Sequence, residues 1–324
     1  MPLSQLNHRT ERTISLHEDA AGSYTASGLA VSNTSTYSLH IETSDNDYRS
    51  DPMKVYSTPP IDSIYWTISG ADRLEIRTDS HNSDPNSTKY YLFSAVETYE
   101  YHAAINAHWK LVDHVAVERL PEEERYTCYI DERTPNVIAS TKGLKEDRLT
   151  GVRVSIIERS SPKISAPRYT ILIKQRAISQ EEYTYQRLLL NSTEQQGSLF
   201  AQIPGEIPSN VRSTKDPGEY VLGYFRAQQI QELRYFIDNY QHQLPGGFYQ
   251  KPYVPCQAEQ SCYLHGIFSA PPGNCVDVSA LSDVVGIVSI VEDANRRPLA
   301  YIWATAECSD CTLRGGTTIK PPFW

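Results

Sequence analysis

The cysteines are the feature that most restricts how this chain can fold. Five of the six lie between Cys256 and Cys311, and the last two form a Cys-x-x-Cys pair near a Gly-Gly turn and a terminal Phe-Trp. An even number of clustered cysteines is typical of a segment held by disulfides in an oxidising compartment. The sequence therefore predicts structural disulfides, with these candidates: Cys128, Cys256, Cys262, Cys275, Cys308 and Cys311.

Two other uses of the Cys-x-x-Cys pair stay open but fit less well. A zinc ribbon needs a second close pair, whereas the other cysteines run Cys256-x5-Cys262-x12-Cys275. A thioredoxin-like redox pair sits at the start of a helix, whereas Cys311 is followed by a turn and an extended tail. Disulfides are therefore preferred over zinc and over redox chemistry, although the sequence does not choose among the possible pairings.

The C-terminal tail is predicted to anchor on the body of the protein. Gly315 and Gly316 permit a sharp turn, and Phe323 and Trp324 offer a large apolar surface. The predicted tail anchor therefore consists of these four residues.

The fold class predicted for the rest of the chain is mainly β. The 22 tyrosines against 7 phenylalanines, and many runs in which apolar residues alternate with polar ones, favour strands. We expect a partial immunoglobulin-like β module over 1–58, then a larger β-sandwich-like domain over 59–250. Two amphipathic helices are expected in that domain, near 179–196 and 226–240. A cysteine-rich C-terminal segment, 251–324, is expected to pack on it.

The two helices rest on different patterns. For the first, Ser179 and Glu182 have the spacing of a capping box, and an apolar stripe follows. For the second, Ile230, Leu233 and Ile237 recur at three- and four-residue spacing.

Charge and motifs argue against several classes of protein. The net charge is -9 and no run of Lys and Arg could follow a phosphate backbone, so no nucleic-acid partner is expected. No apolar stretch is long enough for a membrane span, and the start of the sequence lacks the pattern of an export signal. No common hydrolase, P-loop or dinucleotide-binding motif is present.

Neither a metal nor a cofactor is predicted. His102, His108 and His114 lie six apart, which spreads them along a strand or around a helix. The acidic stretch that contains Asp45 and Asp47 lacks the glycine and distal Glu of a calcium loop. Turn formation explains its Asp, Asn, Ser and Pro residues better.

Several segments together resemble the family called domain of unknown function 4249. They are, in chain order, YSLHIETSDNDYRSDP, PPIDSIYW, RYTILIKQRAISQEEYTYQRLLLNSTEQQGSLFAQIPGEIPSNV, EYVLGYFRA and CSDCTLRGGTTIKPPFW. The resemblance covers nearly the whole chain but includes no catalytic motif.

The resemblance implies an outer-membrane lipoprotein often encoded beside a TonB-dependent transporter, with an immunoglobulin-like module near its N-terminus. This sequence lacks the signal peptide, the lipid-bearing cysteine and the first strands of that module. We therefore expect it to be an N-terminal truncation of a lipid-anchored product, and its membrane face stays open.

The sequence and the family resemblance together predict a non-enzymatic function. The chain is expected to be a binding accessory of a TonB-dependent transporter, with an unknown nutrient ligand. Two alternatives are kept, a hydrolase acting on glycan or peptide and a structural or adhesive β-sandwich protein. A cleft with two carboxylates of perturbed pKa would favour the hydrolase.

Overall fold

A computed structural model describes the protein at residues 4–8, 13–70, 73–84, 87–113, 115–195, 207, 209–238, 256–260 and 285–324. Its strands, in chain order, are β1 (Ser4–His8), β2 (Thr13–Ser15), β3 (His17–Ala20), β4 (Ser23–Thr25), β5 (Thr36–Glu42), β6 (Asp47–Ser50), β7 (Met53–Lys54), β8 (Ile61–Ser69), β9 (Arg73–His81), β10 (Tyr90–His102), β11 (Trp109–Val112), β12 (Val115–Glu118), β13 (Thr127–Arg133), β14 (Val137–Ser140), β15 (Arg148–Glu158), β16 (Arg168–Ile178), β17 (Val211–Ser213), β18 (Ile230–Asp238), β19 (Glu259–Gln260), β20 (Gly286–Glu292) and β21 (Pro298–Ala304). Its α-helices are α1 (Pro162–Ser165), α2 (Gln180–Gln195) and α3 (Ala306–Ser309), and two 3-10 turns span Pro121–Glu123 and Cys311–Arg314.

The centre of the molecule is a sandwich of two antiparallel sheets. The larger, which we call the central sheet, has the order β13-β10-β16-β18, with β14 also paired to β10. The smaller has the order β15-β9-β8. Side chains from both sheets, such as Ile76 of β9, Phe93 of β10 and Ile171 of β16, form one buried cluster between them. The predicted mainly β, sandwich-like fold is confirmed.

Alternation along β16 shows why the sequence forms this core. Tyr169, Ile171 and Ile173 are buried on the inner face, and the intervening residues point away from the core. Because β16 lies between β10 and β18, its backbone groups are paired on both sides. This strand therefore fixes the register of the central sheet.

Two further sheets flank the sandwich. The N-terminal sheet has the order β17-β6-β5-β1-β2, with β7 also paired to β5, and β3 and β4 form a separate hairpin. The C-terminal sheet has the order β12-β11-β20-β21-β19 around a second core that includes Leu111, Ile287 and Tyr301. Pairing of β17 with β6 and of β11 with β20 joins segments that are distant in the sequence.

Gly286 marks the tightest approach in the C-terminal sheet. A Cβ atom there would lie 2.5 Å from Ser309 Oγ and 2.6 Å from the Cβ of Ala107. Glycine at the start of β20 therefore lets α3 pack directly against this strand.

The first predicted helix is confirmed as α2. Ser179 precedes it, and the Ser179 hydroxyl accepts a hydrogen bond of 3.1 Å from the backbone N–H of Glu182, as expected of an N-cap. None of the helices in the described part of the chain is long and apolar enough to cross a bilayer.

The second predicted helix, near 226–240, is wrong, because residues 230–238 form strand β18. Its nine residues pair antiparallel with β16, from Ile230 opposite Arg176 to Asp238 opposite Arg168. The apolar residues of this segment also fit the two-residue period of a strand. Tyr235 and Ile237 pack against the core, whereas Ile230 is 43 % exposed. Pairing with the free edge of β16 outweighs the local helical pattern.

Candidate functional site

The outer face of the central sheet carries the candidate site. Residues that alternate with the core positions point to this face, and the strand register sets them side by side. Arg176 of β16 lies between Leu92 of β10 and Ile230 of β18. Lys174 lies between Ser94 of β10 and Glu232 of β18.

A cleft of about 440 Å³ opens on this face. We call it the basic cleft, and its lining is Leu92, Ser94, Ala95, Val96, Arg133, Thr134, Asn136, Lys174, Arg176, Gln186, Arg226 and Gln228. Four of these side chains are cationic and none is a carboxylate. In a chain whose net charge is -9, this is a local reversal of sign.

Two of the four cations are neutralised by carboxylates outside the lining. Lys174 Nζ lies 2.7 Å from Glu232, and Arg226 Nε lies 2.8 Å from Glu182. Within the described part of the chain, neither Arg133 nor Arg176 forms an ion pair. The cleft therefore carries an uncompensated positive charge.

Arg176 is held in the lining of the basic cleft by a hydrogen bond. Its guanidinium donates a hydrogen bond of 2.9 Å to the Ser94 hydroxyl. Burial lowers the pKa of Arg176, repulsion from Arg226 lowers it further, and attraction by Glu182 and Glu232 opposes both effects only in part. A bound anion would act in the same direction as these carboxylates, because it adds opposite charge.

Gln186 of α2 adds a neutral polar group to the cleft. The residue is only 3 % exposed and it lines the cleft. A side-chain amide can both donate and accept hydrogen bonds, so this group is suited to contact a ligand.

Glu182 performs two functions at the edge of the cleft. Its backbone N–H is capped by Ser179, but its carboxylate accepts hydrogen bonds from Gln228 at 2.7 and 2.8 Å and pairs with Arg226. Burial raises the pKa of this carboxyl, against the opposing effect of Arg226. Glu182 therefore orients Arg226 and Gln228 toward the cleft.

The carboxylates do not form the pair that a glycan hydrolase requires in this cleft. Glu182 borders it with a raised pKa, and the other neighbouring carboxylate, Glu232, is held by Lys174. The buried Glu97 binds Lys163 on the inner side of the sheet and lines none of the described clefts. The described lining of the basic cleft therefore lacks the carboxylate pair that would favour a hydrolase there.

A second, larger cleft of about 530 Å³ lies between the N-terminal sheet and the start of α2. Tyr56, Tyr224 and Met53 supply its apolar part. Its charges are mixed, since Asp51 pairs with Arg212 at 3.3 Å. This cleft has no excess of one charge, so the basic cleft is the better candidate.

The predicted tail residues lie on the central sheet, outside the lining of the basic cleft. Gly315 has a φ of 83°, a conformation that suits glycine, and a Cβ on Gly316 would lie 2.9 Å from the Cβ of Cys128. Thr317 then exchanges two backbone hydrogen bonds with Tyr129, so the tail covers the outer edge of β13.

The two terminal aromatic residues lie on the outer face. The Arg234 guanidinium is 3.5 Å from the ring centre of Phe323, and the Arg168 guanidinium is 5.6 Å from that of Trp324. The indole N–H of Trp324 donates to Glu100 at 3.3 Å. Cation–π contacts of this kind contribute about 0.5–1 kcal/mol each at exposed sites.

Deleting Phe323 and Trp324 is expected to lower the free energy of unfolding by about 1–3 kcal/mol, because it removes apolar burial and two cation–π contacts. Urea unfolding of the shortened chain measures the change. Ile319→Ala is the matched control, since Ile319 is 76 % exposed. Equal stability of the shortened chain and the full chain would show that the tail does not anchor.

Four of the six predicted cysteines lie at disulfide distance. Cys128 pairs with Cys311, and Cys256 pairs with Cys308, so the two members of the Cys-x-x-Cys bind different partners. This supports disulfides over zinc and redox chemistry for these four. Cys262 and Cys275 lie outside the described residues.

The histidines considered as metal ligands do not converge in the described chain. His102 bonds Glu100 at 2.7 Å and stacks on Tyr126. His108 packs edge-on against Trp109, and His114 lies outside the described residues.

No residue that lines the basic cleft was a site candidate from the sequence. Lys174 and Arg176 alternate with buried positions on β16, which is the one local signal that could have placed both on an outer face.

The fold and the cleft define a β-sandwich-like protein with a basic cleft on the outer face of its central sheet. The family described as "Domain of unknown function (DUF4249)" matches residues 5–234, so the chain belongs to this family. A comparison with curated proteins found no match, and neither did one with solved structures.

Proposed function

We propose that this protein is a binding protein that takes an anionic small molecule in the basic cleft. The observation that carries the proposal is the convergence of Arg133, Lys174, Arg176 and Arg226 in a cleft whose described lining contains no carboxylate. The expected ligand is a compound that carries phosphate or carboxylate groups.

The donors in the cleft suit this chemistry. Arginine presents a planar fork of N–H groups that matches two oxygens of a phosphate or a carboxylate. Among the described residues, Arg133 and Arg176 are the two cleft cations that form no ion pair, so they are the expected primary contacts. The amide of Gln186 and the hydroxyl of Thr134 would orient the rest of the ligand.

The proposal extends to the place of the protein in the cell envelope. We place the full-length product at the outer membrane, as a lipid-anchored accessory of a TonB-dependent transporter that delivers the anion. Two observations support this: the cysteine pairs at disulfide distance, which are typical of proteins outside the cytoplasm, and the family resemblance.

The transporter association is tested on the full-length gene product in its native membrane. Mild detergent extraction and affinity purification should recover a TonB-dependent transporter with it. Recovery of the full-length product without any such transporter, while a known lipoprotein–transporter pair survives the same extraction, would contradict the association.

The binding step is tested by calorimetry with inorganic phosphate, citrate and neutral glucose. We expect saturable binding of at least one of the two anions and none of glucose. Arg176→Gln should weaken that binding roughly 10- to 100-fold, because a hydrogen bond to a charged group contributes about 1.5–3 kcal/mol. Comparison of phosphate with citrate shows which oxygen group is preferred.

Arg187→Gln is the matched control, since it removes the same charge from an exposed residue of α2 that does not line the cleft. It should leave the affinity within a factor of about two, as expected for an exposed charge that is screened by salt and does not contact the ligand. An equal loss in both variants would show a general charge effect and would contradict the proposed site.

A further inference from the structure

A separate site is suggested by three potential metal ligands on the hairpin formed by β5 and β6. In this hairpin Glu42 is paired with Asp47, and His40 precedes Glu42 by two residues. The alternation of strand side chains therefore sets all three on one face. One ligand atom from each residue lies within 4.8 Å of the other two.

The imidazole of His40 lies between the two carboxylates. Its Nε2 is 2.6 Å from Asp47 Oδ2 and 3.6 Å from Glu42 Oε1. One ring nitrogen carries at most one proton, so Nε2 can donate to only one of the two groups. The shorter distance assigns this hydrogen bond to Asp47. Glu42, which has the same negative charge as Asp47, lies nearby without a hydrogen bond from Nε2.

The hairpin holds two of the three ligands, His40 and Asp47, firmly. His40 is 7 % exposed, and the Thr214 hydroxyl donates a hydrogen bond of 2.9 Å to the other oxygen of Asp47. Fixing ligand groups by such contacts raises metal affinity. Arg49 approaches Asp47 to 3.6 Å, but its side chain is 60 % exposed and has room to move aside.

The arrangement is specific to this hairpin within the part of the chain that the structure describes. His81 pairs with Asp62 at 2.7 Å, and His102 pairs with Glu100 at 2.7 Å, each without a third ligand. Three protein ligands that include an imidazole leave one position for water, as in many zinc sites.

We propose that His40, Glu42 and Asp47 bind a divalent transition-metal ion, with Zn²⁺ as the expected ion. One imidazole with two carboxylates suits zinc better than Ca²⁺ or Mg²⁺, which prefer oxygen ligands alone. Binding would replace the His40–Asp47 hydrogen bond with three coordination bonds and relieve the repulsion between Glu42 and Asp47. The site is on the N-terminal sheet and is independent of the basic cleft.

The test titrates ZnCl₂ into untagged protein by calorimetry, after alkylation of any free thiols. Alkylation matters because free thiolates at Cys262 or Cys275 would bind zinc themselves. We expect wild type to bind one Zn²⁺ in preference to Ca²⁺ and Mg²⁺. Absence of saturable zinc binding, or tighter binding of Ca²⁺, would overturn the proposal.

Glu42→Gln is the decisive variant, because it leaves the His40–Asp47 hydrogen bond in place and changes a side chain that is 52 % exposed. Its zinc affinity should fall at least ~10-fold, the smallest effect usual even for residues that only support a ligand. Asp62→Asn is the matched control at the His81 pair and should bind zinc as wild type does.

A second variant, His40→Gln, should lose zinc binding as well. Circular dichroism of each variant checks that the sheets remain folded, and if His40→Gln does not fold, Glu42→Gln decides the matter. Zinc affinity in Glu42→Gln that equals wild type would overturn the three-ligand site, whatever His40→Gln does.

Discussion

Removing the Cys128–Cys311 disulfide, by changing both cysteines to alanine, is expected to lower the free energy of unfolding by about 4 kcal/mol. The two residues are 183 apart in the sequence, and a cross-link that closes a loop of this length strongly restricts the unfolded chain. Cys128 and Cys311 are also 0 % and 1 % exposed, so a small cavity adds to the loss. Guanidinium unfolding of the oxidised protein measures it.

The variant in which Cys256 and Cys308 are both changed to alanine is the natural comparison, since the disulfide that it removes joins residues only 52 apart in the sequence. Its loss should be smaller by about 1 kcal/mol, because the chain-entropy effect depends only on the logarithm of loop length. The two variants should also differ in how firmly the C-terminal tail is held. Loss of Cys128–Cys311 frees the segment that leads to Thr317 from β13, so protection of the Tyr129 and Thr317 amides from hydrogen exchange should fall in that variant first.

Mass spectrometry of the unreduced protein checks the pairing itself. Peptides that contain Cys128 and Cys311 should be linked, and alkylation before reduction should not label either residue. Six alkylatable cysteines would contradict the disulfides, and stoichiometric zinc that persists in Glu42→Gln would revive the metal interpretation of the Cys-x-x-Cys.

The strands of the central sandwich could be predicted because their sequences encode both their type and their buried face. In β16, Tyr169, Ile171 and Ile173 follow one another at a spacing of two and are buried, whereas Thr170, Leu172 and Lys174 lie on the opposite face. In the segment 230–238, the periodicity of apolar residues does not determine the secondary structure. Its apolar residues fit both periods, and the choice is made by the free edge of β16, which a local pattern does not contain.

The candidate sites could not be predicted for a related reason. Arg133, Arg176 and Arg226 come from a strand end, a central strand and a connecting segment, and only strand pairing brings them to one cleft. The sequence marks Glu182 only as a capping-box residue of α2. In the structure its carboxylate pairs with Arg226 at the edge of the cleft. His40 and Glu42 share a face by simple alternation, yet Asp47 joins them only through the register of the hairpin.

Replacing Glu97 with alanine is expected to lower the free energy of unfolding by about 3–5 kcal/mol, the usual cost of breaking a buried ion pair. Glu97 is 2 % exposed, and its carboxylate binds Lys163 and accepts hydrogen bonds from Tyr169 and Ser155 at 2.8 and 2.5 Å. The variant leaves both hydroxyls without this partner inside the sandwich. Urea unfolding near pH 7 measures the change.

Glu158→Ala is the matched control. Glu158 pairs with Arg73 at 3.1 Å, but the two side chains are 49 % and 53 % exposed. An exposed pair typically contributes at most about 1 kcal/mol, so this variant should unfold almost as wild type does. Similar losses in the two variants would show that the Glu97 network contributes no more than a surface pair.

The pH dependence of the Glu97→Ala effect tests the network further. Burial alone would lower the pKa of Lys163, but hydrogen bonds to Glu132 and Glu97 outweigh it, so the pKa is raised. Lys163 therefore contributes stability below its unfolded pKa of about 10.4, and this stability is lost as the pH rises through the higher folded value. Glu97→Ala removes one source of that increase, so the stability difference between wild type and variant should shrink above about pH 10. A difference that stays constant from pH 7 to the alkaline limit of folding would show that the loss arises from packing and not from the ion pair.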